Sequence, residues 1–298
     1  MRRLLYWLTW PIRILLRLLW RFVVWLTWPI RALAARLIAF FNPPDPEEVS
    51  MTDALAHTLR NPADLLPHLE ELRVRILWAL ISLAISTALS FLFARQLLEF
   101  LAEPIGGLGV LQAIEVTEPI AVYMRVSLLA GVTLAMPAIL YQIYQFISPG
   151  LRRSERRMLL FIIPFATLLF GLGLTFTYYI MLPAAIPFLV QFGGIHTIPR
   201  PDNYFKFVTS LLFWIGLSFQ MPLVIYALAA AGLVKARALA QYWRFAIVGI
   251  AILAAAVTPT VDPVNMGLVM LPMIGLYFLS ILLAFIAQRG RERRRKPE

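Results

Sequence analysis

The chain contains no cysteine. That absence excludes disulfides, thiolate metal sites and a cysteine nucleophile. Its three histidines, His57, His68 and His196, are too scattered to suggest a metal site. No G-x-x-x-x-G-K-[ST] run occurs, so the chain has no recognisable P-loop, and Gly106-Gly107-Leu108-Gly109 is a glycine-rich turn and nothing more. No cofactor is therefore expected. Charge is scarce as well: 14% of residues are charged, roughly half the share of an ordinary soluble domain. Acids are the scarcest of all, 16 Asp+Glu against 27 Lys+Arg, for a net charge of +11.

What fills the space is apolar. The 298 residues are 60% hydrophobic, with a mean hydropathy of +0.77, an excess that calls for a solvent other than water. A high net charge often points to nucleic acid. Here the basic residues flank apolar runs instead of striping a polar domain, so a membrane surface is the expected partner and nucleic acid is not. Uncharged runs occupy residues 76–94, 126–151, 158–181, 207–231, 245–257 and 264–287. Most reach the 20 or so residues that a bilayer requires. The 245–257 run is short and spans only by borrowing residues 238–244, with Arg244 snorkelling to the interface. Pro149-Gly150 should end the second helix, Leu182-Pro183 the third and Gly232 the fourth.

The expected fold is an all-α integral membrane protein with six transmembrane helices, the last two short and joined by a tight turn. With an even number of spans both termini share one side. That side collects 23 of the 27 basic residues, leaving Arg95, Arg125, Arg200 and Lys206 opposite. By the positive-inside rule both termini are cytoplasmic, in a multi-pass protein of the cytoplasmic (inner) membrane. The outer connections, 96–118 and 183–204, are long and rich in proline and glycine, which predicts structured extracytoplasmic loops.

The domain organisation reads as an amphipathic basic extension over 1–41, a linker over 42–63, a six-span core over 64–288 and a basic tail over 289–298. In the extension, Trp7-Leu8-Thr9-Trp10-Pro11-Ile12-Arg13 recurs as Trp25-Leu26-Thr27-Trp28-Pro29-Ile30-Arg31. The 18-residue offset is five helical turns, so both copies face the same way. An in-plane helix on anionic lipid fits this pattern, with tryptophans at the headgroups and arginines outside; a basic tail without fixed structure is the plain alternative.

Three groups of residues invite a chemical reading, because strongly polar groups at a membrane face are costly. The first is His68-Leu69-Glu70-Glu71-Leu72-Arg73-Val74-Arg75, for which interfacial anchoring with i, i+4 pairing such as Glu71 to Arg75 is the simpler account. The second runs from Pro137-Ala138-Ile139-Leu140-Tyr141-Gln142 through Phe146 to Pro149-Gly150-Leu151. It leads into Arg152-Arg153-Ser154-Glu155-Arg156-Arg157, where one acid sits among four arginines and charge balance alone could explain it. The third is Gln220 beside Pro222 in mid-span, where the amide could satisfy backbone groups freed by the proline.

Together these stretches resemble the TatC family of the twin-arginine translocase. His-x-x-Glu-Leu-Arg-x-Arg looks like its opening signature. Tyr-Gln-x-x-x-Phe-x-x-Pro-Gly-Leu-x-x-x-Glu-Arg looks like its first cytoplasmic loop. Phe219-Gln220-Met221-Pro222 and Thr258-Pro259-Thr260-x-Asp262 resemble its fourth span and last outer turn. The resemblance implies a signal-peptide receptor and not an enzyme: a core component that exports folded proteins with the proton-motive force, beside single-span TatA and TatB subunits, as a homo-oligomer within the complex. It implies that Glu71 and Glu155 bind the paired arginines of a signal peptide, with Phe146, Arg73 and Pro104 at matching positions of the binding region. A guanidinium pair suits carboxylates, since arginine forms planar forks that lysine cannot. Arg73, Arg75, Arg152 and Arg153 would hold both acids ionised. Gln220 stands where the family often has Glu, which puts a titratable role in doubt and leaves a hydrogen bond to a partner helix. The rival reading is a secondary transporter or channel. It would want several charges within the membrane, and none lies in 126–151 or 207–234.

Overall fold

A computed structural model describes residues 65–148, 153–191, 198–258 and 263–295. The basic extension, the linker and the 259–262 turn lie outside the described residues. All regular structure among those described is helical: α1 (Leu65–Phe91), α2 (Ala94–Ala102), α3 (Glu118–Ile147), α4 (Arg153–Phe176), α5 (Leu182–Val190), α6 (Pro201–Ser218), α7 (Met221–Ala231), α8 (Ala236–Gln241), α9 (Trp243–Val257) and α10 (Pro263–Arg295).

Among the described residues, five helical segments are long and apolar enough to cross a membrane: His68–Phe91, Glu118–Ile147, Ile162–Val190, Pro201–Ala230 and Pro263–Arg289. The sixth apolar helix, Trp243–Val257, has 15 residues, about 22 Å of rise against a hydrocarbon core of about 30 Å. The residues upstream form a separate short helix, α8, and do not extend α9 as one straight rod. Tyr242 takes non-helical torsions (φ −93°, ψ 18°) between α8 and α9, and its carbonyl accepts from both Phe245 and Ala246. The expectation that the last two spans are both short is corrected here. Only α9 is short, because no breaker interrupts the 33 residues of α10 apart from Pro272, which it accommodates.

The expected stop at Leu182-Pro183 also fails, for a local reason. Thr177–Met181 forms a π-turn in which the Leu182 N–H donates to the Thr177 carbonyl, five residues back. The wide turn shifts the hydrogen-bond register just where Pro183 has no N–H to offer, so helix continues into α5. The other signals act as chemistry dictates. α3 ends at Ile147, ahead of Pro149, and Gly232 closes α7 in the left-handed region at φ 81°. Pro222 divides the fourth span into α6 and α7, with the break at Phe219-Gln220.

α1 packs most extensively on α3, α7 on α10, and α6 on both α3 and α4. Two crossings depend on glycine. A Cβ on Gly131 would lie 2.7 Å from the Thr87 Cα of α1, and one on Gly173 would lie 2.8 Å from the Gly216 Cα of α6. Such close backbone approach is how helices associate where lipid supplies no hydrophobic drive. The core gathers Leu98, Val126, Leu182, Phe205, Val208, Leu211, Ile215 and Val269. Large apolar side chains such as Leu80, Ile85, Phe245, Ile252, Leu271 and Leu282 remain exposed on the outside, as a surface solvated by lipid requires.

Candidate functional site

α1 and α3 run antiparallel, which brings the start of α1 against the end of α3. Glu71 and Arg75, one turn apart on α1, form an ion pair at 3.2 Å, with side chains 29% and 28% exposed. The same guanidinium donates to the Gln145 Oε1 of α3, and the Gln145 amide donates to the Tyr141 hydroxyl. His68 stacks on Phe146 with ring centroids 4.5 Å apart. One end of the molecule thus carries a half-exposed carboxylate, an arginine fixed from two sides and an aromatic wall. Arg75 Nε is buried without a hydrogen-bond partner among the described residues, as is Gln142 Oε1.

Arg73 is exposed beside this group. Glu155 belongs to the first turn of α4, and its side chain lies outside the described residues. Arg153, where α4 begins, follows Ile147 by six residues, so at most about 20 Å of extended chain joins the two helices. Glu155 therefore belongs to the same end as Glu71. Pro104 does not. It lies in a 3-10 turn at Glu103–Ile105, beyond α2, and α1 alone separates that end from Glu71 by about 30 Å.

Gln220 is 7% exposed. Its Nε2 donates to the Ala166 carbonyl of α4 at 3.1 Å, so it ties two spans together and does not service the carbonyl freed by Pro222. Its Oε1 has no hydrogen-bond partner among the described residues.

The far end holds a polar lock that sequence reasoning placed in loops. Glu118, 3% exposed at the start of α3, accepts from Arg200 Nε at 2.9 Å and also from Nη2. Arg200 reaches Glu115 at 2.9 Å as well. These bonds, with Glu118 foremost, hold the Arg200 guanidinium above its ordinary pKa. Arg125 pairs with Asp202 at 2.7 Å. The Tyr178 hydroxyl donates to the Phe100 carbonyl at 2.8 Å and to Glu103 at 3.2 Å, and that of Tyr204 donates to the Leu101 carbonyl at 2.7 Å. Gln145 was missed too, although it sits inside the Tyr141–Phe146 stretch. A polar amide one residue before an aromatic at a helix end was the available signal.

The profile of the Sec-independent protein translocase protein (TatC) family matches residues 67–272. The chain is 38% identical to a Sec-independent protein translocase protein TatC of Synechocystis sp. over 219 residues, 73% of this chain and 86% of the relative. It is 35% identical to that of Deinococcus radiodurans over 250 residues, 81% and 92% of the two chains. A crystal structure of a twin-arginine translocase receptor, TatC, superposes with a TM-score of 0.68 at 35% identity, covering 74% of this chain and 100% of the other. The chain belongs to the Sec-independent protein translocase (TatC) family, a transport component of the membrane and not an enzyme.

Proposed function

We propose that the chain is the signal-peptide receptor and core component of a twin-arginine translocation complex. In this reading Glu71 and Glu155 receive the paired arginines, and single-span TatA- and TatB-like subunits join the complex to move folded proteins with the proton-motive force. The observation that carries the reading is the state of Glu71. Its carboxylate is half-exposed, already accepts one guanidinium, from Arg75, and keeps lone pairs for a second. The arginine that holds it is itself anchored by Gln145 on the neighbouring helix, so the acid is aimed before any peptide arrives. His68 and Phe146 offer an apolar surface beside it. Pro104 acts elsewhere, at the far end. Gln220 keeps Oε1 for a partner helix. The span count is six, with α9 crossing at a tilt or in locally thinned lipid, both termini in the cytoplasm, and the 1–41 extension on anionic lipid.

Crosslinking of a twin-arginine signal peptide tests the site. Glu71→Ala and Glu155→Ala should each diminish it and the double variant should remove it. Undiminished crosslinking in all three sinks the assignment.

A further inference from the structure

At the Arg200 end, four cations stand just beyond the uncharged runs: Arg95, Arg125, Arg200 and Lys206. Three are matched by acids. Arg95 pairs with Glu99, Arg125 with Asp202, and Arg200 with Glu118 and Glu115. Glu103, the remaining acid among the described residues at this end, accepts from the Tyr178 hydroxyl. Lys206 is exposed and has no acidic partner among the described residues. It is also the last charge before the uncharged stretch of α6 and α7, where a lysine at the end of a span reaches toward the headgroups.

Lys206 lines a cleft of about 620 Å³ together with Asn203, Arg200, Ile198, Ile186 and Phe207, a size within the usual range of small-molecule sites. Asn203 and Lys206 are three residues apart on α6, on one face, both exposed. The cleft floor is apolar: Ile186 and Phe207 are buried, and Ile198 stands exposed at the mouth. A cation and an amide over an apolar slot complement an anion with a hydrocarbon body.

We propose that this cleft binds an anionic phospholipid of the outer leaflet, its phosphodiester on Lys206 and Asn203 and an acyl chain along Ile186, Ile198 and Phe207. An ammonium is a point-charge phosphate ligand that needs no fork geometry. The lipid supplies the counter-charge that every other cation at this end finds within the chain. It also fills the wedge between α5 and α6 that the polar lock leaves open, which does not depend on how the opposite end handles a signal peptide.

The test is native mass spectrometry of the full chain in dodecyl maltoside, titrated with dioctanoyl phosphatidylglycerol. Dioctanoyl phosphatidylcholine and inorganic phosphate serve as comparisons. The native protein should retain one phosphatidylglycerol in preference to phosphatidylcholine, with inorganic phosphate competing poorly. Lys206→Gln should weaken that retention about fivefold, Lys206→Arg should preserve it, and Ile198→Trp, which blocks the mouth without touching the charge, should also weaken it. Retention unchanged in both Lys206→Gln and Ile198→Trp overturns the site, as does equal retention of the zwitterionic lipid. Full competition by inorganic phosphate overturns the lipid assignment. So does a photocrosslinker at position 206 that captures a protein helix in native membranes and no lipid.

Discussion

Glu118 and Glu99 are both acids paired with an arginine at the same end of the molecule, yet their surroundings differ sharply. Glu118 is 3% exposed and receives two arginine nitrogens. Glu99 and Arg95 are 54% and 79% exposed, where solvent and salt screen an ion pair nearly to nothing. Glu118→Ala leaves Arg200 only its bond to Glu115 and removes one of the two ionic ties between the start of α3 and the start of α6, the other being Arg125 to Asp202. It should therefore lower Tm in detergent by several times the shift caused by Glu99→Ala. Equal shifts would mean that the lock is ornamental. The contrast also marks what the sequence could reveal. The Glu71–Arg75 pair was legible, because i, i+4 spacing on one helix brings the two together whatever the fold. Gln145 to Arg75, Arg200 to Glu118 and Arg125 to Asp202 were not, because each joins residues at least 70 positions apart and exists only once the helices have packed. Gln220 shows the same limit: its proline neighbour suggested a local duty, and its partner lies on α4.

At the scale of elements, crossings govern. Gly131 has no room for a Cβ against Thr87, whereas a Cβ on Gly249 meets nothing within 4 Å. Gly131→Ala should therefore cost about 1–3 kcal/mol of stability through forced separation of α1 and α3. Gly249→Ala should be neutral or stabilising by less than about 1 kcal/mol. Thermal melts of the two variants in detergent check the pair, and the reverse order would contradict the packing. That the apolar runs form helices was legible from hydropathy, and the stops at Pro149 and Gly232 from residue chemistry. The π-turn at Thr177–Met181 was not, because nothing in Thr177-Tyr178-Tyr179-Ile180-Met181 announces an i→i+5 bond. The helix consequently runs past a proline that looked like its end.

For the whole molecule, the short helix α9 decides topology. If it crosses the membrane, Lys235 and Arg289 share a side; if it does not, they lie on opposite sides. The absence of native cysteine makes the experiment clean. Single cysteines at Lys235 and Arg289 should both be shielded from an impermeant maleimide added outside, while one at Gln112 should react. Opposite labelling of positions 235 and 289 would reduce the span count to five. The 1–41 extension is a separate matter: its deletion should weaken association with anionic vesicles and leave the helical core folded, which lipid flotation and circular dichroism would show.

The central claim concerns two acids within an arginine-rich face. Its most direct test is the affinity of the full chain, in detergent, for a synthetic signal peptide bearing two arginines, against the same peptide bearing two lysines. A charge-assisted bond to each carboxylate predicts a preference for arginine of roughly tenfold or more in the native protein. That preference should shrink in Glu71→Gln and in Glu155→Gln and collapse towards one in the double variant. A double variant that still distinguishes arginine from lysine as the native protein does would contradict the account.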